Sequence, residues 1–287
     1  MILVTGATGN VGRELVSRLD AAGAAVRVLV RDPVRAAALP GGAERFTGDL
    51  LSPESLAGAA AGADRMFLLT PGIGTEAAGL AVSAAKAAGV RHIVFLSSTN
   101  VLGDPMPKMG RWHHAREEIV RASGIPSTIL RPGGFMTNAL DWLPTIREAN
   151  YVLDPVGPGR AAPIDPADIA AVAALVLTTG GHEGKVYELT GAELFTVAEQ
   201  AAVISATIGR TITARPVGTP EEAVAARFPN GAPPALAEAV VEGFRLMRED
   251  TEGYRTGTVE ELLGRGPATF ADWCARHAGV FRAAADA

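Results

Sequence analysis

Val4-Thr5-Gly6-Ala7-Thr8-Gly9-Asn10-Val11-Gly12 sets three glycines at Gly-x-x-Gly-x-x-Gly spacing between an apolar run at 2–5 and a helical pattern over 10–22. A strand, a glycine turn and a helix in that order are the context a dinucleotide-binding fingerprint requires. Gly6 lets the chain turn sharply, Gly9 lets backbone approach a diphosphate, and Gly12 lets the helix sit close to the sheet. The free amides of the helix start then face the phosphates. Gly6, Thr8, Gly9, Asn10, Val11 and Gly12 are therefore candidate cofactor-binding residues. The bland alternative is a glycine-rich turn without a ligand.

Outward from this turn, strand-like and helix-like segments alternate, the order that builds a parallel sheet with helices on both faces. Short apolar runs at 2–5, 26–30, 44–47, 65–69, 92–97 and 127–131 have the character of buried parallel strands. Helical stretches at 10–22, 75–88 and 112–123 lie between them. The expected fold class is α/β, a Rossmann doubly wound sheet with a small, mostly helical carboxyl-terminal domain. Beyond Arg131, Pro132-Gly133-Gly134 and a succession of prolines read as turns. Division is expected at residue 150, with 1–150 binding the dinucleotide and 151–287 the substrate. A helix at 165–178, a strand at 185–189 that rejoins the sheet, and a helix at 196–208 opened by the capping box Thr196/Glu199 follow. After Thr219 the chain reads as helical, and 228–234 as a loop over the site or a surface excursion.

Composition bounds the function. The 287 residues are 48% hydrophobic and 20% charged, enough apolar content for a packed core. A net charge of -5 with scattered cations argues against nucleic-acid binding. The single cysteine, Cys274, excludes an internal disulfide and a multi-cysteine metal site and reads as a packed residue between Trp273 and Ala275. No metal is expected. The first residues lack a signal-peptide pattern and no apolar run is long enough to cross a bilayer. The expectation is a cytoplasmic protein without membrane association, monomeric or homodimeric.

Further candidates sit at strand ends. Arg31 follows the second strand where NAD-specific folds place an acid, and its guanidinium suits a 2′-phosphate, so NADP(H) is preferred over NAD(H). Asp32 complicates that choice, and a solvated Arg is the alternative. Asp49 is placed to accept from the adenine amine while Leu50 covers the ring, or else to cap the helix near Ser52. Leu69, Thr70 and Pro71 leave the fourth strand at the ligand-holding edge, and Ser97 ends the fifth. Ser98, Phe135, Asn138 and Trp142 are candidate acceptor residues, with core packing open for Met136 and Trp142 and simple capping open for the hydroxyls. Asp165 and Asp168 resemble an acid/base pair, but their place before an apolar helix favours capping.

These residues resemble the NmrA-like branch of the atypical short-chain dehydrogenase/reductases, including its NADPH-dependent quinone and azo reductases. The likeness rests on 5–12, Val30-Arg31, Gly48-Asp49, 123–126, 130–138, 165–170, 186–191 and Ile208-Gly209-Arg210. It implies a Rossmann domain carrying NADP(H) and a small domain closing a cleft over the nicotinamide. Members reduce quinones, aryl ethers, isoflavonoids or iminium intermediates, and some are non-catalytic sensors that bind a transcription factor, so membership alone does not settle activity.

Ketone-reducing relatives carry Tyr-x-x-x-Lys after the fifth strand. Set four residues before Glu117, the Lys position falls on His113 and the Tyr position on Met109. His113 is then the candidate catalytic residue, polarising an oxygen or binding the ribose. The alternative sets His113 and His114 at the first turn of the helix, one inward and one solvated, without catalytic duty. A quinone needs less help than a ketone, because hydride delivery can lead and water can protonate. The leading expectation is hydride transfer to a small, flat, apolar or aromatic acceptor such as a quinone. The rivals are an NADP(H)-sensing regulator acting through a protein partner and, last, a sugar-nucleotide epimerase.

Overall fold

The computed structural model describes residues 1–228 and 230–286. In chain order the elements are β1 (Ile2–Thr5), α1 (Asn10–Ala21), β2 (Val26–Val30), α2 (Pro33–Ala36), β3 (Glu44–Thr47), α3 (Pro53–Ala60), β4 (Arg65–Leu68), α4 (Glu76–Ala87) and β5 (His92–Leu96). Then come α5 (Lys108–Ala122), β6 (Ser127–Pro132), α6 (Leu143–Ala149), β7 (Tyr151–Asp154), α7 (Pro166–Thr178), β8 (Val186–Leu189) and α8 (Val197–Ile208). The rest are β9 (Thr213–Pro216), α9 (Pro220–Ala225), α10 (Pro234–Glu249), α11 (Thr258–Leu263), α12 (Phe270–Arg276) and α13 (Ala278–Ala285). None of the described helices is long and apolar enough to cross a membrane.

The chain forms two units, one of residues 1–103, 110–132 and 166–188, the other of 104–109, 133–165 and 189–287. The sequence placed one division at residue 150; the observed units instead interleave. Helix α7 explains why, because its apolar residues Ile169, Val172, Val176 and Leu177 are buried in the first unit, where it packs on α1 and on β4, β5 and β6.

In the first unit the seven strands lie in the order β3-β2-β1-β4-β5-β6-β8. Pairing of β1 with β2 and β4, β2 with β3, and β5 with β4 and β6 is parallel throughout. This is the doubly wound arrangement expected from the alternating pattern, with the topological switch between β1 and β4. Strand β8 takes the edge beside β6, where the strand expected at 185–189 rejoins the sheet. Leu3, Met66, Leu68, Ile93, Phe95 and Ile129 from the sheet pack with Leu56, Ala81 and Ala85 from α3 and α4 into one dry core.

The second unit is mostly helical around Trp273, which stacks on Phe270 with centroids 5.7 Å apart and on His277 at 4.1 Å. Met136, Trp142, Ile146, Val152, Ile204 and Phe281 complete that core. Cys274 is a fully buried free thiol, pushed up to about 12 by burial.

Residues 133–165, read from the sequence as turns, contain a 3-10 helix (Met136–Trp142), α6 and β7. Strand β7 pairs in parallel with β9, and the sequence reading missed both. Each is four residues long, and Thr-Ala-Arg-Pro of β9 carries no apolar run to mark it. The capping box at Thr196 and Glu199 forms as expected. Within the expected 228–234 loop, Pro229 lies outside the described residues, and Pro234 already opens α10.

Candidate functional site

In the first unit, the turn between β1 and α1 is built by contacts that only glycine allows. Gly6 sits at φ +65°, and the Gly9 amide donates to its carbonyl at 3.0 Å. A Cβ on Gly12 would lie 2.1 Å from that same oxygen, so the absent side chain is what lets α1 start against the turn. Gly9 is the cap residue of α1, and no side chain caps the helix. A helix start without a capping side chain is the arrangement that suits a diphosphate. Gly9 and Asn10 are exposed, Thr8 is half-buried, and Val11 is buried beneath the turn. Thr5 fastens the turn to β4: its hydroxyl donates to Leu69 O at 3.0 Å and accepts from Leu69 N at 2.8 Å.

At the end of β2, Arg31 and Asp32 part ways. The Asp32 carboxylate accepts from the amides of Val34 and Arg35 and caps α2, so it is engaged in the loop. Arg31 is exposed and has no hydrogen-bonding partner among the described residues. At the end of β3, Asp49 accepts from Leu51 N at 2.8 Å. Capping of α3 falls to Ser52 rather than to Asp49, through Ser55 N at 3.2 Å. Leu50 is half-buried against the core.

Beyond β4, Leu69 packs under Gly6, where a Cβ would meet its side chain at 3.1 Å. Thr70 Oγ1 is buried without a partner, and Pro71 is exposed. At the end of β5 the structure gives the two serines protein partners. Ser97, expected at the cofactor, is buried and its hydroxyl donates to Glu117 Oε1. Ser98, expected at the acceptor, caps the following 3-10 helix through Asn100 N. Both strand-end hydroxyls thus serve local structure.

Helix α5 begins at Lys108, four residues before the expected 112, so His113 and His114 occupy its second turn. His114 is exposed, while His113 is half-buried with Nδ1 inaccessible and unpartnered. Burial, reinforced by the positive charge of Arg116, pushes the His113 imidazole down to about 4. At neutral pH it is therefore uncharged, able to donate or accept one hydrogen bond but holding no surplus proton. Four residues on, Glu117 is fully buried and accepts from Ser97, from Arg131 Nε and Nη2 at 2.9 and 2.7 Å, and from Arg121 at 2.8 Å. Burial by itself would raise this carboxyl; the Arg131 and Ser97 bonds and the Arg131 and Arg121 charges outweigh it and hold it below the usual range. The sequence reading used Glu117 only as a reference position. Arg121 lies at i+4 on the same helix, but Ser97 and Arg131 are 20 and 14 residues away, so no local pattern marks those two.

In the second unit, Phe135, Asn138 and Trp142 come together. They line a cavity of about 130 Å³ with Gln200, Arg227 and Phe244. Trp142 and Met136 also belong to the core of that unit, so for Trp142 the packing and lining roles coincide. Arg227 is held by an ion pair to Asp141. A wider groove of about 730 Å³, walled by Val224, Phe228, Ala237 and Val241, contains none of the expected acceptor residues. Asp165 forms an ion pair with Arg276, which removes it from acid/base work, and Asp168 is buried in the first turn of α7.

Comparison with known proteins agrees with this geometry. Residues 6–180 match the NAD(P)H-binding family model. A (4-alkanoyl-5-oxo-2,5-dihydrofuran-3-yl)methyl phosphate reductase of Streptomyces griseus is 40% identical over 284 residues, covering 98% of this chain and 99% of that protein. An NAD(P)H azoreductase of Xenophilus azovorans is 37% identical over 99% of this chain and 100% of its own. The structure of an Escherichia coli NADPH-dependent quinone oxidoreductase complexed with NADPH superposes with a TM-score of 0.84, at 29% identity, over 96% of this chain and 99% of that one. Glycine cradle, strand order and relatives concur: the chain belongs to the NAD(P)H-binding family, as an NmrA-like atypical short-chain dehydrogenase/reductase.

Proposed function

We propose that this protein is a reductase that binds NADPH on the Gly6–Gly12 turn and passes hydride to a small conjugated acceptor such as a quinone. The observation that carries the cofactor reading is the cradle itself, where a Cβ on Gly12 would strike the Gly6 carbonyl and no side chain caps α1. Preference for the phosphorylated dinucleotide follows from Arg31, which is unpaired among the described residues, while the neighbouring carboxylate is drawn into capping α2. In this reading Thr8, Asn10 and Val11 surround the diphosphate, Asp49 and Leu50 the adenine, and Leu69, Thr70 and Pro71 the ribose and nicotinamide. Thr70 Oγ1, buried and unpartnered, is the polar atom there with bonding capacity to spare.

Bound NADPH supplies the hydride. The protein's part is to position and to exclude water, with His113 as a neutral hydrogen-bonding group toward an acceptor oxygen. With no tyrosine at Met109, protonation falls to solvent, which a quinone tolerates and a ketone does not. The names of the relatives, an azoreductase, a quinone oxidoreductase and a reductase of an alkanoyl-oxo-dihydrofuran, support acceptors with extended conjugation. The missing tyrosine and lysine would also suit a non-catalytic regulator, but the reductase names of these relatives favour the enzyme.

The test is NADPH oxidation against a panel of quinones, azo dyes and unconjugated ketones. Turnover is expected with the first two classes and not with the third. NADPH binding without turnover of any of them would overturn the reaction while leaving the cofactor reading intact.

A further inference from the structure

Helix α5 carries a buried charge that the dinucleotide turn does not account for. Arg116 is 2% exposed, and burial draws its guanidinium below the ordinary arginine range. No carboxylate pairs with it among the described residues. Its fork ends instead on two main-chain carbonyls, Nε donating to Gly74 O at 2.7 Å and Nη2 to Gly72 O at 2.5 Å. A guanidinium buried without a counter-charge is costly, so the bonds it makes are where a role must be sought.

Both carbonyls belong to Thr70-Pro71-Gly72-Ile73-Gly74, the segment that leaves β4 at the topological switch. Gly72 and Gly74 stand at φ +71° and +93°, with nothing near enough to touch a Cβ. Backbone shape, not space, is what calls for glycine at these two positions. Ile73 between them is 46% exposed, and Thr70 ahead of them holds its hydroxyl buried and unpartnered. An exposed aliphatic side chain beside a spare polar atom, on a segment braced from behind, describes the wall of a ligand site.

We propose that Arg116 is a positioning residue, whose two-pronged grip fixes segment 70–74 in the shape that meets the ribose–nicotinamide half of the dinucleotide. The planar fork reaches two carbonyls at once, which a lysine ammonium cannot reproduce. Bracing from α5 makes the wall preformed, so the ordering cost is met before the ligand arrives. This rests on the cofactor reading above.

Calorimetry with NADPH and with adenosine 2′,5′-bisphosphate, on wild type, Arg116→Lys and Gly72→Ala, tests it. The bisphosphate keeps the adenine end and lacks the nicotinamide half. Both variants are expected to bind NADPH about tenfold more weakly, as loss of one good hydrogen bond or the strain of an alanine at positive φ implies, and to bind the bisphosphate like wild type. The KM for NADPH should rise more than kcat falls. Gly72→Ala alters only the exposed segment, so it decides the matter if Arg116→Lys does not fold. Equal NADPH affinity in wild type and a folded variant, or equal weakening of both ligands, would overturn the proposal. Wild type that binds neither ligand would remove the cofactor reading and this inference with it.

Discussion

Between Gly12 and the Gly6 carbonyl there is no room for a methyl group: the added carbon would sit 2.1 Å from the oxygen. Gly12→Ala therefore has to push α1 away from the turn, and overpacking of this kind costs roughly 1–3 kcal/mol. Thermal unfolding should show that loss, and calorimetry should show NADPH binding weakened beyond it, because the amides that face the diphosphate move with the helix. At Arg31 the stake is selectivity rather than stability. Charged hydrogen bonds contribute about 1.5–3 kcal/mol, so Arg31→Ala should lower the preference for NADPH over NADH roughly 10- to 100-fold and leave the melting temperature unchanged. A variant that keeps its preference removes Arg31 from the 2′-phosphate. His113 makes a prediction about pH. Its imidazole titrates near 4 in the folded chain against 6.5 when free, so between those values the unfolded chain binds more protons, and stability falls as pH falls through that window. His113→Phe should flatten this acid limb in denaturant titrations at stepped pH; an unchanged limb would show that the imidazole is not desolvated.

At the scale of elements, α5 is tied to β5 and β6 through one carboxylate. Ser97, Arg121 and Arg131 all donate to Glu117, which is wholly buried. Glu117→Ala leaves the half-buried Arg131 with the more distant Glu188, 3.7 Å away, so the loss should fall below the roughly 3–5 kcal/mol of a fully broken buried pair; Glu117→Gln should cost less, since it keeps an acceptor. Urea unfolding of the two variants checks the order. The network also shows what a sequence conceals. Strands β1, β2, β4, β5 and β6 were legible because burial on both faces demands short apolar runs, whereas β3 and β8 at the two sheet edges are mostly exposed or half-buried and carry a weaker signal; the glycine turn was legible because its whole logic lies within nine residues. Glu117, Ser97 and Arg131 lie on three elements, and only the folded sheet sets them side by side. Strands β7 and β9 escaped for a related reason: each is short, and the side chains of β9 form no apolar run. At Ser97, Ser98 and Asp49 the residue types were compatible with both ligand contact and structural bonding; Ser98 and Asp49 bond amides two residues on, and Ser97 reaches Glu117 on α5.

For the whole molecule, the chain order of the two units bears on what can be cut. An amino-terminal piece of residues 1–150 contains the glycine turn and six of the seven strands of the sheet, yet lacks α7 and β8, which belong to the same unit. Helix α7 buries Ile169, Val172, Val176 and Leu177 to within 1% exposure and packs along α1, the helix whose first turn faces the proposed diphosphate. Fully burying each such side chain is worth about 1.5–3 kcal/mol, so the four together contribute roughly 6–12 kcal/mol. That matches the entire net stability of an ordinary domain, about 5–15 kcal/mol. The 1–150 fragment is therefore expected to be unfolded or aggregated, with no NADPH binding by calorimetry and little cooperative melting by circular dichroism, although every residue assigned to the diphosphate is present in it. A folded fragment that bound NADPH as the full chain does would mean that α7 is dispensable, and that a single division near residue 150, as the proline-rich stretch suggested, is how this chain is built.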